Sequence, residues 1–339
     1  MRRRGHRFRL SQTAAGLLAI PLSLGPFAAY LGLTPEGRLV ADRAQILVVP
    51  PRLPSITDSQ RAAGAAFPPY RDGVAVLAYH GIGSKPDGEG GYVVSPARFG
   101  EHLAMLRAAG LHTVTASEVA EAFAGKRPLP SKALLITFDD GRADAMLFAD
   151  PLLRRARMRA TMFVITRAAG NHGVWYASWE RLEGYAASGR WDLQSHTASS
   201  HRLRPTPDGT LPALTSLAPG ESLDAYRARV RADLGEAAAD IRRHTGRTPV
   251  ALAYPFGAYG ADRTNDPRVR RVLREEVARR YRLAFHQDEQ EGVPLAACRG
   301  DLLGMRRVEV GDWTGTQLLS RIARSAKNFD PPASCPEVA

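Results

Sequence analysis

Two patterns of apolar and polar positions alternate from residue 73 onward. Short runs with apolar centres recur at Val74–Tyr79, Ala133–Phe138, Ala160–Ile165, Trp191–Ser195, Val250–Tyr254, Arg282–His286 and Arg306–Val310. Runs of this length predict strands, and the almost unbroken apolar stretch Ala133–Phe138 predicts one buried on both faces. Between the runs lie stretches that read as helices: Pro96–Ala109, Ala116–Ala124, Arg142–Arg157, Ser178–Ser188, Glu221–Thr245, Pro267–Tyr281 and Thr314–Ala326. Ser178 is an expected N-cap, and Gly246 an expected helix stop. About seven strands alternating with helices predict a parallel α/β barrel or an open doubly wound sheet. In such folds active sites lie at the carboxyl ends of the strands.

The flanks read differently. Arg2, Arg3, Arg4, Arg7 and Arg9 precede an uncharged, largely apolar stretch over residues 13–33. A basic flank before an apolar run predicts an export signal or membrane anchor over residues 1–33, with the remainder outside the membrane. Pro21 and Pro26 interrupt the run, and no clean small-residue cleavage site follows, which favours an uncleaved anchor. Residues 34–72, rich in proline and charge, read as a linker. Residues 73–327 read as the folded α/β domain and 328–339 as a loose tail. Residues 202–220 hold Pro205, Pro207, Pro212 and Pro219 and read as a surface insertion.

Composition narrows the partners. The 339 residues carry a formal net charge of +12, which suits an anionic polymer, membrane or cell surface. No nucleic-acid-binding module is recognisable, so the expected partner is not nucleic acid. Cys298 and Cys335 have no metal-ligand spacing; they form either a disulfide or two thiols.

Chemically useful residues cluster at the strand ends: His80, Asp139-Asp140, His196, Tyr254-Pro255-Phe256 and His286. Adjacent carboxylates at the mouth of a buried strand are costly to desolvate unless a cation or hydrogen-bond network meets them. His196 and His201 share one loop and, with one carboxylate, make a facial set suited to zinc or another divalent first-row metal. The Tyr254-Pro255-Phe256-Gly257 stretch predicts a tight turn able to aim the Phe256 N–H into the site as an oxyanion donor.

Thr137-Phe138-Asp139-Asp140-Gly141, the His196…His201 pair and Tyr254-Pro255-Phe256-Gly257 resemble, in order and spacing, the polysaccharide deacetylases with NodB homology (carbohydrate esterase family 4). Ala78-Tyr79-His80-Gly81 and Arg307-Val308-Glu309-Val310 look most similar to the poly-β-1,6-N-acetylglucosamine deacetylase branch. The resemblance spans roughly residues 73–325 and implies a distorted (β/α) barrel that removes acetyl groups from sugar amides or esters. It implies Asp139 as catalytic base, Asp140, His196 and His201 as ligands of a divalent metal, and Phe256 as oxyanion donor. Zinc is the expected ion, with cobalt, nickel or ferrous iron as alternatives. His286 is the expected acid for the leaving amine, and His80, Tyr254 and Pro255 are expected to line the substrate site. An O-acetyl esterase and a catalytically silent glycan-binding module are the rival readings. Three departures from the family pattern stand out. The histidines are five apart where most members have four. Ala253 occupies the place of an arginine that braces the base, so either another residue, with Arg142 the candidate, braces Asp139 or its orientation is looser. The 202–220 insertion is enlarged.

Overall fold

The computed structural model describes residues 52–83, 92–170, 175–207, 209–288, 292–332 and 335. The expected signal or anchor over residues 1–33, and the first part of the expected linker, lie outside the described residues. No described helix is long and apolar enough to cross a membrane.

The seven expected strands are present as β1 (Val74–Tyr79), β2 (Ala133–Phe138), β3 (Ala160–Val164), β4 (Trp191–Ser195), β5 (Ala251–Ala253), β6 (Leu283–Asp288) and β7 (Met305–Glu309). They close into a ring in the order β1-β7-β6-β5-β4-β3-β2, and β2 returns to β1. Every pairing in the ring is parallel. The β1–β2 seam is in register from Val74↔Ala133 to Tyr79↔Phe138. The β4–β5 seam is registered only at Leu252↔Ser195. Two short strands lie outside the ring: His112–Val114 runs parallel to the start of β2, and Leu295–Ala296 antiparallel to β1. Unequal seams and a split partnership along β2 make this a distorted (β/α) barrel.

Side-chain alternation along the strands sets two layers. One core cluster gathers Val74, Val76, Ala133, Leu135, Ala251, Ala253, Leu283, Phe285 and Met305, which fill the barrel interior. A second takes the opposite parity, Leu252, Tyr254 and Ala284. Those residues pack outward on helices Leu223–Thr245 and Val269–Ala278 through Tyr226, Val230, Val269 and Leu273. Gly246 ends the first of these helices in the left-handed conformation, φ +71°, as its sequence position predicts.

The structure corrects the expected linker and tail and adds detail to the expected insertion. Residues 52–72 are not a bare linker. Thr57 and Gln60 form a capping box on helix Asp58–Ala65, Phe67 and Tyr70 are buried, and the Tyr70 hydroxyl donates to Ala133 O at 2.7 Å. Proline and charge dominate the composition there and mask two anchoring aromatics. The insertion contains an antiparallel hairpin, Leu203–Thr206 with Gly209–Pro212, followed by buried Ala213, Leu214 and Thr215. The described part of the tail is tied down: the Phe329 ring covers Gly73, and Cys335 is bonded to Cys298 across 37 residues.

Candidate active site and metal centre

The interior parity continues past the apolar layers into polar side chains. Along β2 it runs Ala133, Leu135, Thr137 and then Asp139; along β1 it reaches His80, along β4 His196, along β6 Gln287, and along β7 Arg307 and Glu309. The barrel therefore delivers its chemistry as one more layer at the carboxyl end.

Asp139 N–H donates to Tyr79 O at 3.1 Å, extending the β1–β2 ladder by one residue. Asp140 and Gly141 then take φ of +71° and +75°, reversing the chain. At Gly141 a Cβ would stand 3.3 Å from Val164 Cγ1, so both the conformation and the close approach favour glycine.

Asp140 Oδ1 lies 3.5 Å from His196 Nε2 and 3.3 Å from His201 Nε2. The candidate ligand atoms of the three residues fall within 4.8 Å of one another. Asp140 Oδ1 is buried and has no hydrogen-bond partner. His196 Nδ1 sits 2.8 Å from Ala253 O. A carbonyl only accepts, so Nδ1 carries the proton and the Nε2 lone pair faces Asp140. The His201 ring packs on Phe256, with centroids 4.4 Å apart. Burial, then the neighbouring His196, holds the His201 pKa down at about 4, leaving it neutral and able to ligate at neutral pH. Burial pushes the Asp140 carboxyl up, but the His196 contact and nearby imidazoles outweigh it and keep it ionised. Two neutral-capable imidazoles and one carboxylate with an unsatisfied oxygen fit a divalent first-row cation.

Asp139 is fully buried and gripped by Arg307, itself fully buried. Nη1 of Arg307 donates to Asp139 Oδ1 at 2.6 Å, and Nη2 donates to Oδ2. Nη1 also donates to Thr137 Oγ1 at 3.0 Å. Burial alone would raise the Asp139 pKa; the Arg307 charge outweighs it and holds the carboxyl below its ordinary range. His80 Nε2 stands 3.8 Å from Asp139 Oδ2, and His80 Nδ1 stands 3.1 Å from Glu309 Oε1. Gln287 donates to the other Glu309 oxygen at 2.7 Å. Burial pulls the His80 pKa down, but Glu309 first, then Asp139 and Asp140, lift it to about 9.

The polysaccharide deacetylase family profile matches residues 126–269. Residues 126–269 are thus similar to polysaccharide deacetylases. Among sequence relatives, the poly-β-1,6-N-acetyl-D-glucosamine N-deacetylase of Escherichia coli K12 is 26% identical over 207 residues, 55% of this chain and 31% of that protein. The chain thus spans about a third of that relative's length. Among solved structures, IcaB from Ammonifex degensii is 26% identical with a TM-score of 0.58, over 76% of this chain and 97% of that one. The de-N-acetylase from Aggregatibacter actinomycetemcomitans reaches a TM-score of 0.61 at 21% identity, over 76% and 99% of the two chains, and supports the fold.

At the carboxyl end of the barrel, Asp139, Asp140, His196, His201 and His80 come together, and the Pro255–Gly257 turn stands beside them through the Phe256 ring. Phe256 adopts φ +57° there. Gly257 is required, because a Cβ would meet Gln287 N at 3.0 Å. Three placements differ from expectation. His286 pairs in register with Arg306, not with Arg307. Its ring therefore takes the outward parity and lies against Tyr259, centroids 4.7 Å apart; the imidazole that meets Asp139 besides His196 is His80. Tyr254 also has outward parity, is buried, and spends its hydroxyl on Leu303 O at 2.9 Å. Arg142 grips Asp144 at 2.7 Å and stacks on Trp175, so the brace on Asp139 is Arg307. Arg307 and Glu309 stood inside a motif already singled out. The available signal was parity: a charged residue at an interior strand position needs a buried counter-charge.

Proposed function

We propose that this chain hydrolyses N-acetyl groups of a cell-surface polysaccharide, with N-acetylglucosamine units as substrate and a β-1,6-linked polymer as the favoured backbone. The observation that carries this reading is the juxtaposition of a three-residue ligand set with a separate, arginine-braced carboxylate and a carboxylate-backed imidazole. Asp140, His196 and His201 would hold the divalent metal, zinc in the first instance. When bound there, such a cation polarises the acetyl carbonyl and lowers the pKa of the attacking water. Asp139, kept ionised by Arg307, takes the proton of that water. The Phe256 N–H is the candidate donor to the developing oxyanion. His80, protonated at neutral pH through its pairing with Glu309, hands its proton to the amine nitrogen, which leaves poorly as an anion. Gln287 and Glu309 orient His80 for that transfer.

Export across a membrane, retained by an N-terminal anchor, fits the Arg-rich start of the sequence, and the Cys298–Cys335 disulfide is at home in an oxidising compartment. The basic balance suits an anionic surface near the substrate.

The test is acetate release by the full chain from acetylated β-1,6-glucosamine oligomers, peptidoglycan and acetylxylan, before and after chelation. Chelator-sensitive release from the glucosamine oligomers alone supports the proposal. Release from acetylxylan alone would replace it with an O-acetyl esterase.

A further inference from the structure

The loop carrying His196 and His201 has a geometry that it does not hold by itself. Five residues of extended chain span about 16–18 Å, yet both Nε2 atoms converge on Asp140 Oδ1, at 3.5 and 3.3 Å. The fold-back is made at Thr197, a buried β-branched residue with φ +72°, a conformation that persists only where surroundings over-determine it.

Those surroundings are one face of helix Leu223–Thr245. Asp233, Glu236 and Asp240 stand at i, i+3 and i+7 on it. Asp233 is nearly buried. Its Oδ2 accepts from Ala198 N–H at 3.2 Å, and its Oδ1 accepts from both Ser199 N–H and Ser199 Oγ–H at 2.9 Å. Asp240 Oδ2 accepts from Thr166 Oγ–H at 2.9 Å, while Thr166 N–H donates to Thr197 O at 3.2 Å. Glu236 holds the Arg167 guanidinium at 2.6 and 2.8 Å, and Arg167 N–H donates to Ala198 O at 3.2 Å. The backbone of residues 197–199 is thus held by Asp233 directly, and by Asp240 and Glu236 through residues 166–167.

We propose that Asp233 is a positioning residue for the metal centre, and that this acidic face of the helix sets metal affinity by fixing the His196–His201 loop. The inference rests on the reading of Asp140, His196 and His201 as ligands. Both Asp233 oxygens accept, so an asparagine must turn an NH2 toward an N–H and releases one side of the loop. Outer-shell partners of this kind change metal affinity by about 10–100-fold.

The test is titration of metal-stripped full chain with Co2+, followed by its visible absorption, alongside circular dichroism melts. Asp233→Asn is expected to weaken Co2+ binding by about 10–100-fold, with a changed absorption band and acetate release recovered at saturating Co2+. Glu276→Gln is the control: it breaks a buried ion pair with Arg227 and Arg231 of the same helix, at 3.0 and 2.9 Å. It should lower the melting temperature and leave Co2+ affinity unchanged. Thr166→Val, which keeps the volume and removes the donor to Asp240, should weaken Co2+ several-fold and covers the case in which Asp233→Asn fails to fold. Wild-type affinity in both loop-side variants overturns the inference, as does a parallel loss in Glu276→Gln. A wild-type chain that binds no Co2+ would instead sink the ligand reading, and the inference with it.

Discussion

Arg307→Met puts the electrostatics of the barrel interior to a quantitative test. Arg307 and Asp139 are both fully buried, and Arg307 meets both carboxylate oxygens. Removing one member of such a pair costs about 3–5 kcal/mol, because the other is left charged and unpaired. The protein can relieve that cost by protonating Asp139. At about 1.36 kcal/mol per pH unit, the carboxyl should rise by about 2–4 units relative to wild type. As the proposed base, Asp139 must be ionised to act, so the acid limb of the rate profile should move up by the same amount. Acetate release would be followed from pH 4 to 9 at saturating Zn2+, which keeps the metal ligands loaded in both proteins. The stability sign runs the same way. In the wild type the Asp139 pKa lies below its unfolded value of about 3.9. Its contribution is therefore in place above that pH and fades as pH falls through the folded value. In Arg307→Met the folded pKa lies above the unfolded one, so the variant loses stability as pH rises, and the gap to wild type widens toward neutrality. Arg307→Lys should restore the charge without the two-pronged grip, and so only part of the shift. An acid limb in Arg307→Met that overlays the wild type, with a pH-independent stability gap, would refute the reasoning.

His80→Ala should lower kcat on N-acetyl substrates by about 10²–10⁴-fold, and far less on activated acetate esters, while His286→Ala stays close to wild type on both; steady-state kinetics with the two substrate classes decides this. Glu309→Gln removes the main charge that lifts His80 to about 9. The protonated form is lost as pH rises through that value, so the alkaline limb should retreat from about 9 toward the ordinary histidine value of about 6.5. The stabilisation from the His80–Glu309 pair is full below about 6.5 and gone above the folded value, which urea melts across that window would register. Reducing Cys298–Cys335 opens a loop of 37 residues and should cost ~4 kcal/mol on a chain-entropy basis, read as a lower melting temperature in reductant.

The strands were readable because burial on both faces writes each as a compact apolar run; β1, β2 and β4 occupy the expected residues. What local pattern does not carry is azimuth. His286 stands near a strand end, where local pattern places it in the site, yet one residue of parity turns it outward beside Arg306 and brings Gln287 in. The same parity turned Tyr254 from a substrate contact into outer-layer packing. His80 became a partner of Asp139 only through ring closure, since the Tyr79↔Phe138 register sets the next two residues side by side. Arg307 supplies the brace absent at Ala253 from β7, two strands round the ring from β2 and 168 residues along the chain from Asp139. The candidate ligand set could be picked out because Asp140, His196 and His201 sit in two short segments; the helix Leu223–Thr245 was legible too, but not its hydrogen bonds to their loop.

The central claim is that Asp140, His196 and His201 hold one divalent cation on which activity depends. The most direct measurement is acetate release against metal content, determined by elemental analysis, as Zn2+ is returned to the stripped full chain. The account predicts activity that vanishes on stripping, rises linearly to one equivalent of Zn2+, and does not return in Asp140→Ala, His196→Ala or His201→Ala. Undiminished acetate release from chain with no measurable metal would contradict it.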